Sequence, residues 1–224
     1  MAVVAGAGLL ALGTGAALLL GSHHAPPPLA LSTPAAGASQ SNLAGTWKVA
    51  AGSQAGYRVK ERFINQPATT EAVARTNQVS GSLVVATSGG GLLATHIHIT
   101  VDLASLVSQD RYATYQAYQR DFFVRSIYLE TSKFPTADFT ADSVHVTPGA
   151  GGPVSLTVNG KLKVHGVTNA VVAQLQAQAN GDQVEVAGSL QVDMRDFGID
   201  PPDISFTTAQ SLVLIEYHLL LTRA

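Results

Sequence analysis

A chain of 224 residues, 46% hydrophobic and only 12% charged, is long enough for one domain with appendages and is more apolar than most soluble proteins. Its 13 Lys/Arg and 15 Asp/Glu leave a net charge of −2 with no basic run, which excludes a surface built to neutralise nucleic-acid phosphates. It has no cysteine, which excludes a disulfide framework, a zinc-thiolate site and a thiol nucleophile.

No side chain before Lys48 is charged. Residues 1–21 are small and apolar, and a helix of 20 residues spans about 30 Å, the thickness of a bilayer's hydrocarbon core. The stretch predicts an N-terminal apolar helix, either a signal peptide or an uncleaved signal anchor. The "GSHHAPPP" that follows it is a poor cleavage site, which favours the anchor. An oriented insertion needs a positive residue ahead of the helix; none is present, so a start further upstream stays open. Gly6-x-Gly8-x-x-Ala11 imitates a dinucleotide fingerprint, but a proline triplet follows where a helix is required and the first acid is Glu61, so that reading is rejected. Residues 22–46 are Pro, Ala, Ser and Gly without charge, a composition that predicts a disordered linker. The expected location is the cell membrane, single-pass with the folded part outside the cytoplasm, or secretion if residues 1–21 are removed.

Residues 47–224 alternate with period two. Ile97, Ile99 and Val101 share one face of "THIHITVDL", with His96 and His98 on the other. Leu156, Val158, Leu162 and Val164 share a face of "VSLTVNGKLKVHG", and Val186 and Leu190 one of "VEVAGSLQVDM". Such alternation is that of antiparallel strands with one dry face. Further strands are predicted over 56–64, 78–87, 137–146, 171–179 and the nearly all-apolar 211–222. The total is about eight, enough to close a barrel and remove its exposed edges. The inward residues are mostly Val, Ala, Leu and Gly, and an eight-stranded barrel lined by small side chains has room for one small ligand.

Residues 110–135 depart from this pattern and predict one inserted helix, with Tyr115, Tyr118 and Phe122 recurring at three- and four-residue spacing. Such a stripe usually packs as core; contact with a ligand is the alternative. His96 and His98 at i, i+2 could begin a metal site but have no third ligand at a diagnostic spacing, so no metal is assigned. His165 beside Gly166 reads as a hairpin-end residue. Arg195, ahead of Phe197, is a candidate for a carbonyl or phosphate head group, against the commoner role of a structural ion pair. No motif of nucleophilic, metallo-hydrolytic or phosphoryl-transfer catalysis occurs; no catalytic residue and no enzymatic activity are assigned.

Three stretches, "RDFFVRSIYLETSKFPTADF" (120–139), "VNGKLKVHGVTNAV" (158–171) and "MRDFGID" (194–200), resemble the YceI-like family, the lipocalin-like polyisoprenoid-binding proteins. The resemblance runs from Gly45 to Arg223. It implies an all-β, eight-stranded antiparallel lipocalin-like barrel with a helix at one side. It also implies an apolar tunnel for an isoprenoid lipid, such as a polyprenyl chain or quinone tail, carried or stored at the cell envelope. "AGSQAGYRVKE" and the "VSQD" after Leu106 depart from the family pattern, so no head-group contact is carried over there. The rival expectation is an extracellular interaction module with a filled barrel and no small-molecule ligand. Apart from the bound lipid no cofactor is expected, and the oligomeric state is not legible.

Overall fold

The computed structural model describes residues 25–33, 43–64, 68–110, 117–147 and 152–224; the apolar helix expected over residues 1–21 lies outside them. The strand pairs are antiparallel and form one closed barrel with eight walls. The first wall is β1 (Gly45–Val49) continued by β2 (Gln54–Phe63); the second is β3 (Thr70–Thr76) continued by β4 (Val79–Ser88). The others are β5 (Gly91–Asp102), β7 (Thr136–Val146), β8 (Val154–Val164), β9 (Val167–Asn180), β10 (Gln183–Asp193) and β12 (Thr207–Arg223), each pairing with the next. β12 closes the ring: Thr207 lies opposite Phe63, and Arg223 opposite Trp47. Two short pieces, β6 (Val107–Ser108) and β11 (Asp203–Ile204), pair with β3 and β12. An up-and-down order follows from tight turns between successive strands.

Local chemistry explains the turns and bends. β8 and β9 are joined by His165 and Gly166, both at positive φ (52° and 78°), as a two-residue hairpin turn with the right twist demands. The non-glycine residue is held there by its ring, whose Nδ1 lies 3.3 Å from the Phe197 carbonyl and Nε2 3.1 Å from Glu130. The bend between β1 and β2 is pinned by buried Ser53. Its hydroxyl donates to the Ala50 carbonyl (2.8 Å) and accepts the Leu220 amide (3.0 Å). In β5, His96 at φ 52° forms a bulge, and the register with β4 shifts between Ser82 and Val84. That extra residue moves the inward phase from Leu92 and Ala94 to Ile97, Ile99 and Val101, a re-aiming typical of bulges. The wall has one weak seam: the β7–β8 ladder covers only Asp138–Thr140 against Lys161–Lys163.

Among the described residues the inserted helix ends earlier than the sequence predicts. α1 (Ala117–Phe123) runs into a π-helical turn, Val124–Tyr128. It stops because Glu130 turns left-handed (φ 43°) and Pro135 leads into β7. Tyr115 lies outside the described residues; Tyr118 is on α1.

Residues 25–33, expected to be part of a disordered linker, lie along the outer wall. The Pro26 and Pro27 carbonyls accept from Arg58 (2.7 Å) and Arg75 (2.6 Å). The Leu29 amide donates to Glu216 (3.2 Å), and the Ser32 amide and hydroxyl donate to Glu185 (both 2.7 Å). Composition predicts disorder because these side chains bury little; here main-chain groups complete a buried ion network instead. Arg58 lies opposite Leu214 and Glu185 opposite Leu220, so this strap runs parallel to β12. Ala25, its first described residue, is therefore at the strap's end nearer the start of β12.

Candidate functional site

Alternation puts one face of every wall inside, and the inside is not filled. A cavity of about 430 Å³ runs the length of the barrel, within the range of small-molecule sites. Ile97, Ile99 and Val101 of β5 line it, as do Leu156, Val158, Leu162 and Val164 of β8. Val186 and Leu190 of β10, and Phe197 in the turn after it, complete the predicted set that faces the cavity. The walls stay thin because small residues stand between the larger ones: Ala94, Ala173, Ala177 and Ala179 also point inward.

Two sequence-selected residues do not face the cavity. Phe122 is 59% exposed, and the helix turns Phe123 and Val124 inward instead. The error is one of helical phase, since the aromatic stripe is not the buried face. Arg195 projects into solvent and pairs with Asp193 at 2.5 Å. Asp193 also accepts the Arg195 amide and caps the 3-10 turn Met194–Phe197. The arginine is thus a strand-end ion pair rather than a head-group ligand. His98 lies 3.3 Å from Asp138, and His96 contacts Thr95. Among the described residues no three His, Asp or Glu side chains gather as a metal site.

The structure adds residues that the sequence reading passed over. Trp47 lines the cavity and is 2% exposed, with its indole donating to the Leu43 carbonyl (2.9 Å) and Arg223 stacked 5.1 Å above the ring. Tyr57, Glu61 and Arg120 make a polar patch of the lining. Strand β2 positions Tyr57 and Glu61 by its period of two, and α1 brings Arg120 across. Arg120 donates to Asp110 (2.9 Å from Nη1, with a second bond from Nη2), to Glu61 (3.1 Å) and to Ser108 (3.1 Å). Asp121 accepts the Ser108 hydroxyl at 2.5 Å.

Electrostatics in this patch follow from burial and pairing. Burial pushes the Glu61 carboxyl above the usual range, and nearby Arg120 only partly offsets it. Burial acts upward on Asp110 as well, but the hydrogen bonds and charge of Arg120 outweigh it and hold that carboxyl low. Arg120 is desolvated yet raised by Asp110, so it stays charged. Burial raises the Tyr57 phenol, which keeps it a neutral donor. The Tyr57 hydroxyl has no hydrogen-bond partner among the described residues.

A family profile, YceI-like domain, matches residues 47–219. No curated protein matches the chain. Among solved structures, a polyisoprenoid-binding domain from Saccharophagus degradans implicated in plant cell wall breakdown is similar at 16% identity and a TM-score of 0.57, over 81% of this chain and 99% of that one. BcnA from Burkholderia cenocepacia is similar at 18% identity and a TM-score of 0.51, over 74% of this chain and 95% of that one.

Proposed function

Because the chain belongs to the family of YceI-like domains, we propose that it binds an isoprenoid lipid, with the branched tail in the bore of the barrel and a neutral head group at Tyr57. One observation carries this reading: beside the packed cluster around Val158, Leu162, Leu190 and Phe197, the interior keeps an apolar cavity of about 430 Å³. Native interiors close such volume, so an apolar occupant accounts for it. The rival reading, a filled interaction module, has no support in an interior of this volume. The described polyisoprenoid binding of the Saccharophagus degradans relative points the same way.

Each buried methylene contributes about 0.8 kcal/mol gross, and a large ligand keeps about 0.3 kcal/mol per heavy atom after the costs of binding. Width for methyl branches comes from the inward alanines. The polar patch favours the kind of head group. Arg120 is already held by Asp110 and Glu61, with Asp121 beside it. A diphosphate there would meet more anionic than free cationic charge. A quinone carbonyl or an alcohol needs only one hydrogen bond, and the Tyr57 hydroxyl offers it. The two charged groups of the lining, Glu61 and Arg120, are tied to each other, which suits a holding site rather than a catalytic one. Residues 1–21 would keep the barrel at the cell envelope, outside the cytoplasm, for carriage or storage of the lipid.

Native mass spectrometry of protein extracted in mild detergent tests the reading. The expected spectrum shows one added mass per barrel, matching a polyprenol or an isoprenoid quinone. A bare polypeptide in every preparation, together with no uptake of added quinone, would overturn it.

A further inference from the structure

We infer that the end of the barrel formed by α1, the Ile64 corner and the turn between β11 and β12 docks on a lipid bilayer, laying the open end of the cavity on the membrane. This rests on the lipid-binding reading and goes beyond it by naming the surface through which lipid enters and leaves.

Three observations carry the inference. The first is an apolar rim. Ile64 is 72% exposed, Phe206 43%, Ile204 40% and Phe123 40%. Ile64 and Phe206 are neighbours, since the Ile64 amide donates to the Phe206 carbonyl (3.1 Å). Phe123, Ile204 and Phe206 also line the cavity, so these side chains reach both the interior and the outside. Scattered exposed side chains need no explanation, but a contiguous patch marks an interaction site.

The second is the course of the strap. Its hydrogen bonds advance from Pro26 at Arg58, through Leu29 at Glu216, to Ser32 at Glu185. The strap's first described residue, Ala25, is thus at its end nearer the rim, and the uncharged apolar stretch 1–21 precedes it in the sequence. An apolar stretch of sequence joined to the strap at its rim-facing end and an apolar rim share a bilayer as their common partner.

The third is the charge around the rim. Arg62, Asp200 and Asp203 are all exposed there. The signs are mixed, so attraction to anionic lipid is not the driving force. Docking then depends on insertion of apolar side chains and is indifferent to salt and to lipid charge.

A spin-label experiment on the full chain reconstituted in neutral phosphatidylcholine vesicles tests this. The chain has no cysteine, so single labels can be placed by Phe206→Cys at the rim and by Ser88→Cys at the opposite end. At the rim, the label is expected to be open to oxygen and shielded from a water-soluble nickel chelate; at Ser88 the reverse is expected. The variant Ile64→Asp, at a residue that does not line the cavity, should slow transfer of quinone between vesicles about tenfold, since a large apolar side chain is withdrawn from the interface. Its equilibrium uptake of detergent-dispersed quinone should not change.

A rim label fully accessible to the chelate would overturn the inference, even with the amino-terminal segment inserted. Shielding of that label only at high protein concentration without vesicles would assign the rim to a second copy of the chain and likewise overturn it. If quinone still binds the wild-type barrel, either result sinks the docking surface alone. If quinone does not bind at all, the lipid-binding reading fails first.

Discussion

Tyr57 shows how much one side chain decides. Its half-buried phenol faces the cavity and has no hydrogen-bond partner among the described residues, so a ligand can supply the bond. Tyr57→Phe is expected to weaken binding of an isoprenoid alcohol or quinone by about 0.5–1.5 kcal/mol, the net value of one hydrogen bond. Binding of a head-less isoprenoid hydrocarbon should stay the same. Isothermal titration of the two ligands separates these outcomes; an equal loss for both would place the hydroxyl away from the head group. Ala177 tests the bore itself. It lines the cavity between Val154 and Val186, so Ala177→Phe puts a ring into space a ligand would use. Uptake of lipid should fall about tenfold or more, while burial of the new ring holds or raises the unfolding midpoint. A lowered midpoint would show the space to be already filled. At this scale the sequence was partly legible. Inward aliphatic residues could be assigned because period two leaves no choice of face. The Tyr57–Glu61–Arg120 patch could not, because Arg120 reaches β2 from a helix whose phase the aromatic stripe misreports.

The strap is the element whose behaviour is least visible in composition. Its docking uses the carbonyls of Pro26 and Pro27 and the amides of Leu29 and Ser32. No side-chain pattern advertises such groups. Complementary signals lay in the strands: Arg58, Glu185 and Glu216 are buried on the outer face, where charges without a cover should be wet. Arg58 and Arg75 both bond Glu216 at 2.7 Å, and His218 lies 2.5 Å from Glu185. Burial alone would raise the Glu185 carboxyl; bonds from His218, Ser32 and Gln178 outweigh it and hold the carboxyl at about 2, below its ordinary 4.5. A lowered carboxylate pKa stabilises the docked form above the unfolded value and loses that stabilisation as pH falls through the folded one. Protection of the Ser32 amide against hydrogen exchange, corrected for its intrinsic rate, should therefore hold above pH 4.5 and decline toward about 2. Unchanged protection down to that limit would mean that Glu185 does not hold the strap. The bulge at His96 is a second element that the sequence concealed, since an inserted residue leaves the alternation on either side of it intact.

For the molecule as a whole, closure and emptiness are separate matters. Closure was legible because eight alternating runs with short turns admit few other arrangements; the continuity of β1 with β2 and of β3 with β4 emerged only in the register. Emptiness was foreshadowed by the small inward residues, yet it depended on how the aromatic side chains that line the cavity are placed. The single tryptophan makes the interior measurable. Trp47 lines the cavity and is almost wholly shielded from solvent, so a bound quinone would come close enough to quench its fluorescence. The most direct test of the account is titration of the full chain with an isoprenoid quinone while Trp47 emission is followed, with the Ala177→Phe variant alongside. Saturable quenching at one quinone per barrel, reduced in the variant, is the expected result. Quenching that rises without saturation and is identical in both proteins would contradict a lipid held in the bore.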